Sequence, residues 1–211
     1  MSRLWVVILV FGAGSAASAF PTSCNLIPTA DMLEVGSVRA ELERDGALRF
    51  SRTQGEGLLL LQYAPTSRLE AGIDLYSIGN DDSLLFNAKW LLVTEERRRP
   101  AVAVGILEIG AQYSPTSYIV GAKDFGGRTR VHAGAAACRD AKALLLGVEF
   151  EVGRKDYLLV DWASWPSGYL SLGVCRQMSE DTQLSLAYAW PNDRAEPGMA
   201  IVNLSRTFAL H

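Results

Sequence analysis

The groups able to do chemistry in this 211-residue chain are few and scattered. There are two histidines, His132 and the terminal His211, and three cysteines, Cys24, Cys138 and Cys175. Nucleophilic hydrolysis needs a nucleophile and a base within hydrogen-bond reach. His132 is the one candidate base in the body of the chain, and no G-x-S-x-G elbow follows the N-terminal leader. Set between Arg130 and Gly134 on a polar face, it is read as an interior hydrogen-bonding group rather than a catalytic base. Asn80-Asp81-Asp82 is acidic but lacks the spacing and glycine of a calcium loop. The cysteines and histidines show no zinc spacing. No catalytic residue, metal ligand or cofactor is assigned. Either Cys138 pairs with Cys175, or all three thiols stay unpaired. Pro21-Thr22-Ser23 is a poor lipobox for Cys24, and the sequon Asn203-Leu204-Ser205 falls inside a predicted strand.

What remains is charge placed at regular intervals. Residues 144–162, LLLGVEFEVGRKDYLLVDW, set Leu144, Leu146, Val148 and Phe150 on one side and Leu145, Gly147, Glu149 and Glu151 on the other. A period of two means strand, because successive side chains point to opposite faces. After Phe20 the chain breaks into about twelve such runs, from 37–45 to 198–208, each about 8–11 residues long. Short turns such as Pro65-Thr66-Ser67 and Gly126-Gly127 separate them. An even number of strands with short turns predicts an all-β, up-and-down antiparallel barrel.

The alternation alone does not say which face is wet. The polar face carries Gly72, Gly121, Gly134, Gly147 and Gly173 between its charges. Glycine weakens a strand and has little use on an open surface, whereas a crowded interior needs small residues. The apolar face is nearly pure in Leu84, Phe86, Ala88, Trp90 and Leu92. Tyr63, Trp90, Phe125 and Phe150 fall toward one end of the strands; Tyr76, Tyr113, Tyr118, Trp162, Trp165 and Trp190 fall toward the other. Two aromatic girdles at opposite ends are the mark of a barrel facing lipid. The expectation is a transmembrane barrel in a bacterial outer membrane, with membrane lipid as its partner. The alternative is a soluble periplasmic or secreted barrel that binds an apolar ligand in its core.

The charges then line the lumen. Arg39, Arg68, Lys89, Lys123, Arg128, Arg130 and His132 are expected there, facing Glu41, Glu43, Glu70, Asp74, Glu108, Glu149, Glu151 and Asp161. They could form cross-strand pairs in a narrow interior. They could equally line a narrow passage for small polar or saccharide solutes. The mixture of signs does not argue for ion selectivity.

Residues 1–19, with Arg3, the apolar stretch Leu4 to Phe11 and Ala17-Ser18-Ala19, are read as a cleaved signal peptide for Sec-type export. Residues 20–36 are expected to form an N-terminal periplasmic segment and 37–211 the barrel. A net charge of −3 and a pI near 5.5 exclude the basic footprint of a nucleic-acid binder.

Certain stretches resemble a known family. Asn25-Leu26-Ile27-Pro28-Thr29-Ala30-Asp31-Met32-Leu33-Glu34-Val35-Gly36, Ser67-Arg68-Leu69-Glu70-Ala71-Gly72, Asn87-Ala88-Lys89-Trp90, Arg99 to Gly105 and Tyr118 to Lys123 are similar to runs in the YjbH-like outer-membrane proteins linked to exopolysaccharide production. The resemblance implies an outer-membrane barrel and an accessory role in envelope polysaccharide export. It implies no catalytic residues.

Overall fold

The computed structural model describes residues 23–47, 55–78, 81–110, 114–139 and 141–210. The expected signal peptide, the tip of the 45–57 loop, Asn80, Tyr113, His211 and the Tyr76 side chain lie outside them.

Twelve strands follow one another in chain order: β1 (Ser37–Ala47), β2 (Gly55–Thr66), β3 (Leu69–Ile78), β4 (Asp81–Val93), β5 (Ala101–Ile109), β6 (Thr116–Phe125), β7 (Thr129–Cys138), β8 (Ala141–Glu151), β9 (Asp156–Ala163), β10 (Tyr169–Gln177), β11 (Thr182–Pro191) and β12 (Met199–Ala209). Each pairs antiparallel with its sequence neighbours, and β1 closes the sheet on β12 through the register Ser37↔Ala209 to Ala47↔Met199. Closure leaves no unpaired edge, which a backbone in hydrocarbon requires. The β6–β7 reversal places Gly126 and Gly127 at φ +80° and +76°, the left-handed pair that a two-sided tight turn demands.

Alternation sorts the side chains. Leu84, Phe86, Trp90, Leu144, Leu146, Leu172, Val174 and Leu186 stand exposed around the outside. Glu41, Gln62, Glu70, Asp74, Asn87, Lys89, His132 and Asp161 are buried inside. Turned outward in water, so broad an apolar belt would drive aggregation; in lipid it is the matching surface. The apolar face is therefore the outer one, and the soluble barrel with an apolar core is excluded by this sidedness. All three cysteines are unpaired thiols.

Candidate functional site: an occupied lumen

The interior is divided between strand side chains and the chain's own N-terminal segment. Ser23 and Pro28 form a bridge, and the Cys24 amide donates to the Ile27 carbonyl at 3.1 Å, so the segment turns back on itself inside the barrel. Ile27, Thr29 and Ala30 are fully buried. The described part of the segment 20–36 thus runs inside the barrel, where Asn25, Leu26 and Leu33 contact the lumen walls. The physical reason is anchorage. The Leu26 amide donates to Asp161 Oδ2 at 2.8 Å, and Asn25 Nδ2 to Ser171 Oγ at 2.9 Å. The Leu33 amide donates to Glu70 Oε2 at 3.2 Å, and Lys89 Nζ to the Asp31 carbonyl. Arg130 Nε donates to Asp31 Oδ2 at 3.1 Å, while its Nη1 reaches Glu95 Oε2 at 2.7 Å. Backbone polar groups of an irregular segment at membrane depth need such partners inside the protein.

One half of the interior is packed. Ile27 and Ala30 join Leu91, Ala101, Ala103, Leu107, Tyr118, Val120 and Leu145 in one apolar cluster against β4 to β9. Lys89 and Glu70 form a fully buried ion pair at 3.3 Å at its margin. The other half is open. A cavity of about 320 Å³ lies between the N-terminal segment and the wall formed by β1 and β9 to β12. A single water needs only about 10–15 Å³, so the space has room for a cluster of waters or a small polar solute. On its β1–β12 wall Arg39 Nε meets Glu41 Oε1 at 2.8 Å, and Arg39 Nη2 donates to Ser205 Oγ at 2.9 Å. Asn203 Nδ2 donates to Glu41 Oε2 at 2.9 Å and Glu43 Oε2 at 3.0 Å. Both polar residues of the sequon are thus committed inside the lumen.

Arg39, Glu70, Asp74, Lys89, Arg130, His132, Glu149, Glu151 and Asp161 lie on the lumen side of their strands. Arg68 and Arg128 do not: both are exposed at turns, so strand alternation does not govern them. Strand β6 is turned over relative to its expected register. Tyr118, Val120 and Ala122 are buried inside, whereas Lys123 lies on the outward parity and folds over the rim to Glu95 Oε1 at 2.7 Å. Its apolar parity, Tyr118, Val120 and Ala122, packs into the interior cluster, while Ser117, Ile119, Gly121 and Lys123 take the outward parity, so the expectation that the apolar parity meets lipid fails here. Tyr118 is therefore removed from the aromatic girdle. Its ring fills the place opposite Gly105, where a Cβ would sit 2.3 Å from the ring carbon. Trp165 is also corrected. It lies in the β9–β10 loop and packs against the lumen cluster. Tyr63, Trp90 and Phe125 are exposed near one end of the barrel, and Trp190 near the other. Trp162 joins Trp190 there, its Nε1 donating to Asn192 Oδ1 at 3.0 Å.

Two features of the site are not given by strand alternation. Gly147 and Gly173 stand where the N-terminal segment crosses: a Cβ would lie 2.9 Å from Ile27 Cδ1 at the first and 2.5 Å from Asn25 Oδ1 at the second. The fold also brings Cys24, His132 and Glu149 together, 125 and 17 residues apart in their contacts with Glu149. No spacing rule finds such a group.

At the rim, burial works against Glu95. Hydrogen bonds from Lys123, the Asp124 amide and Arg130 nonetheless hold its carboxyl down at about 2.

An apolar outer belt around a closed twelve-strand barrel with a polar, partly filled interior defines a porin-like transmembrane β-barrel of the outer-membrane type. Solved structures share this fold. The chain is similar to the KdgM porin, with a TM-score of 0.62 at 9% identity over 82% of this chain and 99% of that one. The KdgM porin in complex with disordered oligogalacturonate gives 0.61 at 9% identity, over 83% and 99%. The COG4313 outer membrane channel from Pseudomonas putida F1 gives 0.55 at 12% identity, over 85% and 98%. No family model and no curated protein matches the sequence.

Proposed function

We propose that this chain is a non-enzymatic outer-membrane channel for small polar solutes, uncharged or cationic, with its N-terminal segment narrowing the lumen. The observation that supports it is the polar cavity of about 320 Å³ inside a closed barrel. Asp31, Glu41, Glu43 and Glu149 line it against one guanidinium, Arg39. Carboxylates so placed repel anions and attract cations in a low-dielectric passage. The saccharide complex of the KdgM porin supports a sugar-like solute in a barrel of this shape. A polyanionic sugar would meet the acidic wall here, so a neutral saccharide fits better. The test is reconstitution into planar bilayers and vesicles. Cation-preferring conductance and entry of neutral sugars are expected, and Glu41→Gln with Glu43→Gln should shift the reversal potential toward zero. A folded chain that passes neither ions nor sugars would overturn the channel reading.

We further infer that residues 1–19 direct Sec-type export and are removed after Ala19. Cleavage there leaves Phe20 as the first residue, three positions before Ser23 enters the lumen. Mass spectrometry of the mature N-terminus checks this, and an uncleaved chain would refute it. The likeness of Ser67 to Gly72 and Asn87 to Trp90 to YjbH-like proteins favours a second reading, an accessory of envelope polysaccharide export. Glu70 and Lys89 from those stretches hold the N-terminal segment in place. Loss of secreted polysaccharide in a deletion strain would support this role, and unchanged secretion would remove it.

A further inference from the structure

Of the group Cys24, His132 and Glu149, only Glu149 enters the channel reading, as one carboxylate of the cavity wall. The geometry of the three nevertheless points to a ligand. Their three ligand atoms all lie within 4.8 Å of one another. His132 Nε2 is 2.9 Å from Glu149 Oε1, and Cys24 Sγ is 3.7 Å from the same oxygen. We propose that these three side chains hold a zinc-class divalent cation, which pins the N-terminal segment to β7 and β8.

Three observations carry the proposal. The first is the donor set. Thiolate, imidazole and carboxylate are the ligands that zinc takes, and catalytic or exchangeable zinc sites use three protein ligands with a water in the fourth position. Cys24 and Glu149 also line the polar cavity, from which that water would come. The second is charge. Arg130 stands opposite Glu149 in the β7–β8 register but turns its guanidinium to Asp31 and Glu95. Among the described residues, Glu149 is left with the imidazole and the thiol as partners. A half-buried carboxylate without a Lys or Arg partner is a position that a cation stabilises. The third is fit. Gly147 lies across from His132, and its missing Cβ would fall 3.3 Å from Cys24 Sγ. The bare backbone at that point is what lets the thiol approach the wall.

On binding, the thiol proton leaves to water as the sulfur–metal bond forms, and neutral imidazole and ionised carboxylate donate lone pairs without losing a proton. A divalent cation with one thiolate and one carboxylate is neutral overall, which suits a buried site.

The test uses the mature full chain, folded in detergent, stripped with chelator and titrated with Zn²⁺ or Co²⁺ alone. Metal per chain is measured by elemental mass spectrometry after gel filtration, and Co²⁺ ligation by the thiolate-to-cobalt charge-transfer band. The expected result is one ion per chain with that band present. Cys24→Ser should lose both, Glu149→Gln should weaken retention, and Cys138→Ser should leave both intact. Heat-dependent gel mobility reports folding of each variant. A folded wild-type chain that retains no metal above background overturns the proposal, as does a Co²⁺ complex without the band. Wild-type retention by Cys24→Ser overturns it too. Metal binding is read without conductance, so a chain that conducts nothing can still bind, and each reading can fail without the other.

Discussion

The two halves of the lumen are built from the same alternating strands, yet they solve opposite problems. Against β4 to β9 the N-terminal segment and inward residues such as Leu107, Val120 and Leu145 exclude water. Along β1, β11 and β12 the inward residues include Arg39, Glu41, Glu43, Gln183 and Asn203, and a cavity remains. The difference teaches where the rigidity sits. A packed half resists any change of volume or charge, whereas an open half can exchange partners with water. Substitutions in the two halves should therefore have very different costs.

The largest contrast is expected at Lys89. Its ammonium is fully buried between Glu70 and the Asp31 carbonyl. Lys89→Met should destabilise the barrel by about 3–5 kcal/mol, because it leaves a carboxylate buried without its cation. Lys89→Met with Glu70→Leu should recover much of that loss. Arg39→Met, beside the cavity, should cost far less, since Glu41 keeps its hydrogen bond from Asn203 and borders the cavity. Denaturant unfolding in lipid vesicles, followed by tryptophan fluorescence, measures all three. Equal costs for Lys89→Met and Arg39→Met would erase the contrast.

The outer face gives a second contrast of somewhat smaller size. Leu146 stands exposed mid-strand in β8, and Phe125 at the end of β6. Arginine at 146 should cost about 2–4 kcal/mol, and at 125 only about 0–1 kcal/mol, because the penalty in a bilayer falls with distance from the midplane. The same unfolding measurement checks the pair, and similar values at both sites would argue against the aromatic belt as the lipid boundary. Below this lies Gly147→Ala. The added methyl would press on Ile27 and Cys24, and overpacking of this kind costs about 1–3 kcal/mol. It should also loosen the N-terminal segment, so protease clipping within 23–33 should become faster than in wild type.

How much of this was legible follows the same division. The lipid-facing belt was readable because each outward residue there answers to one environment, and the strands from Ser37–Ala47 to Met199–Ala209 stand where alternation placed them. The interior answers to several environments at once. In β6 the apolar parity, Tyr118, Val120 and Ala122, faces the packed half while Ser117, Ile119 and Lys123 face outward, so the period is present but its apolar side points the other way. The N-terminal segment has no period at all. Its burial is decided by distant positions, Gly147 and Gly173, whose missing side chains make its channel. Those glycines were visible as the sign of a crowded lumen, but what crowds it was not. The Cys24, His132 and Glu149 group needs three-dimensional closure to exist, and only the fold reveals it.

The smallest effect should come from the rim, where the packed half meets water. Glu95 accepts from Lys123 at 2.7 Å, from the Asp124 amide at 2.9 Å and from Arg130 at 2.7 Å. Arg130 also holds Asp31, so this cluster ties the N-terminal segment to the β4–β5 turn. The carboxyl of Glu95 is held at about 2, below the ordinary 4.5 of a glutamate. A folded-state value below the unfolded one means stability that is fully present above about 4.5 and lost as pH falls toward about 2. Glu95→Gln should therefore lower the unfolding midpoint at pH 7, with the difference from wild type shrinking from pH 4.5 downward. Water and salt screen a rim group, so added salt should shrink the difference as well. The check is a set of paired unfolding curves at pH 7, 4.5 and 3, at low and high salt. A difference that stays constant with pH would place the role of Glu95 in its shape rather than its charge. The hold on the N-terminal segment would then rest on contacts that do not involve that charge, such as Leu26 with Asp161, Asn25 with Ser171 and Lys89 with the Asp31 carbonyl.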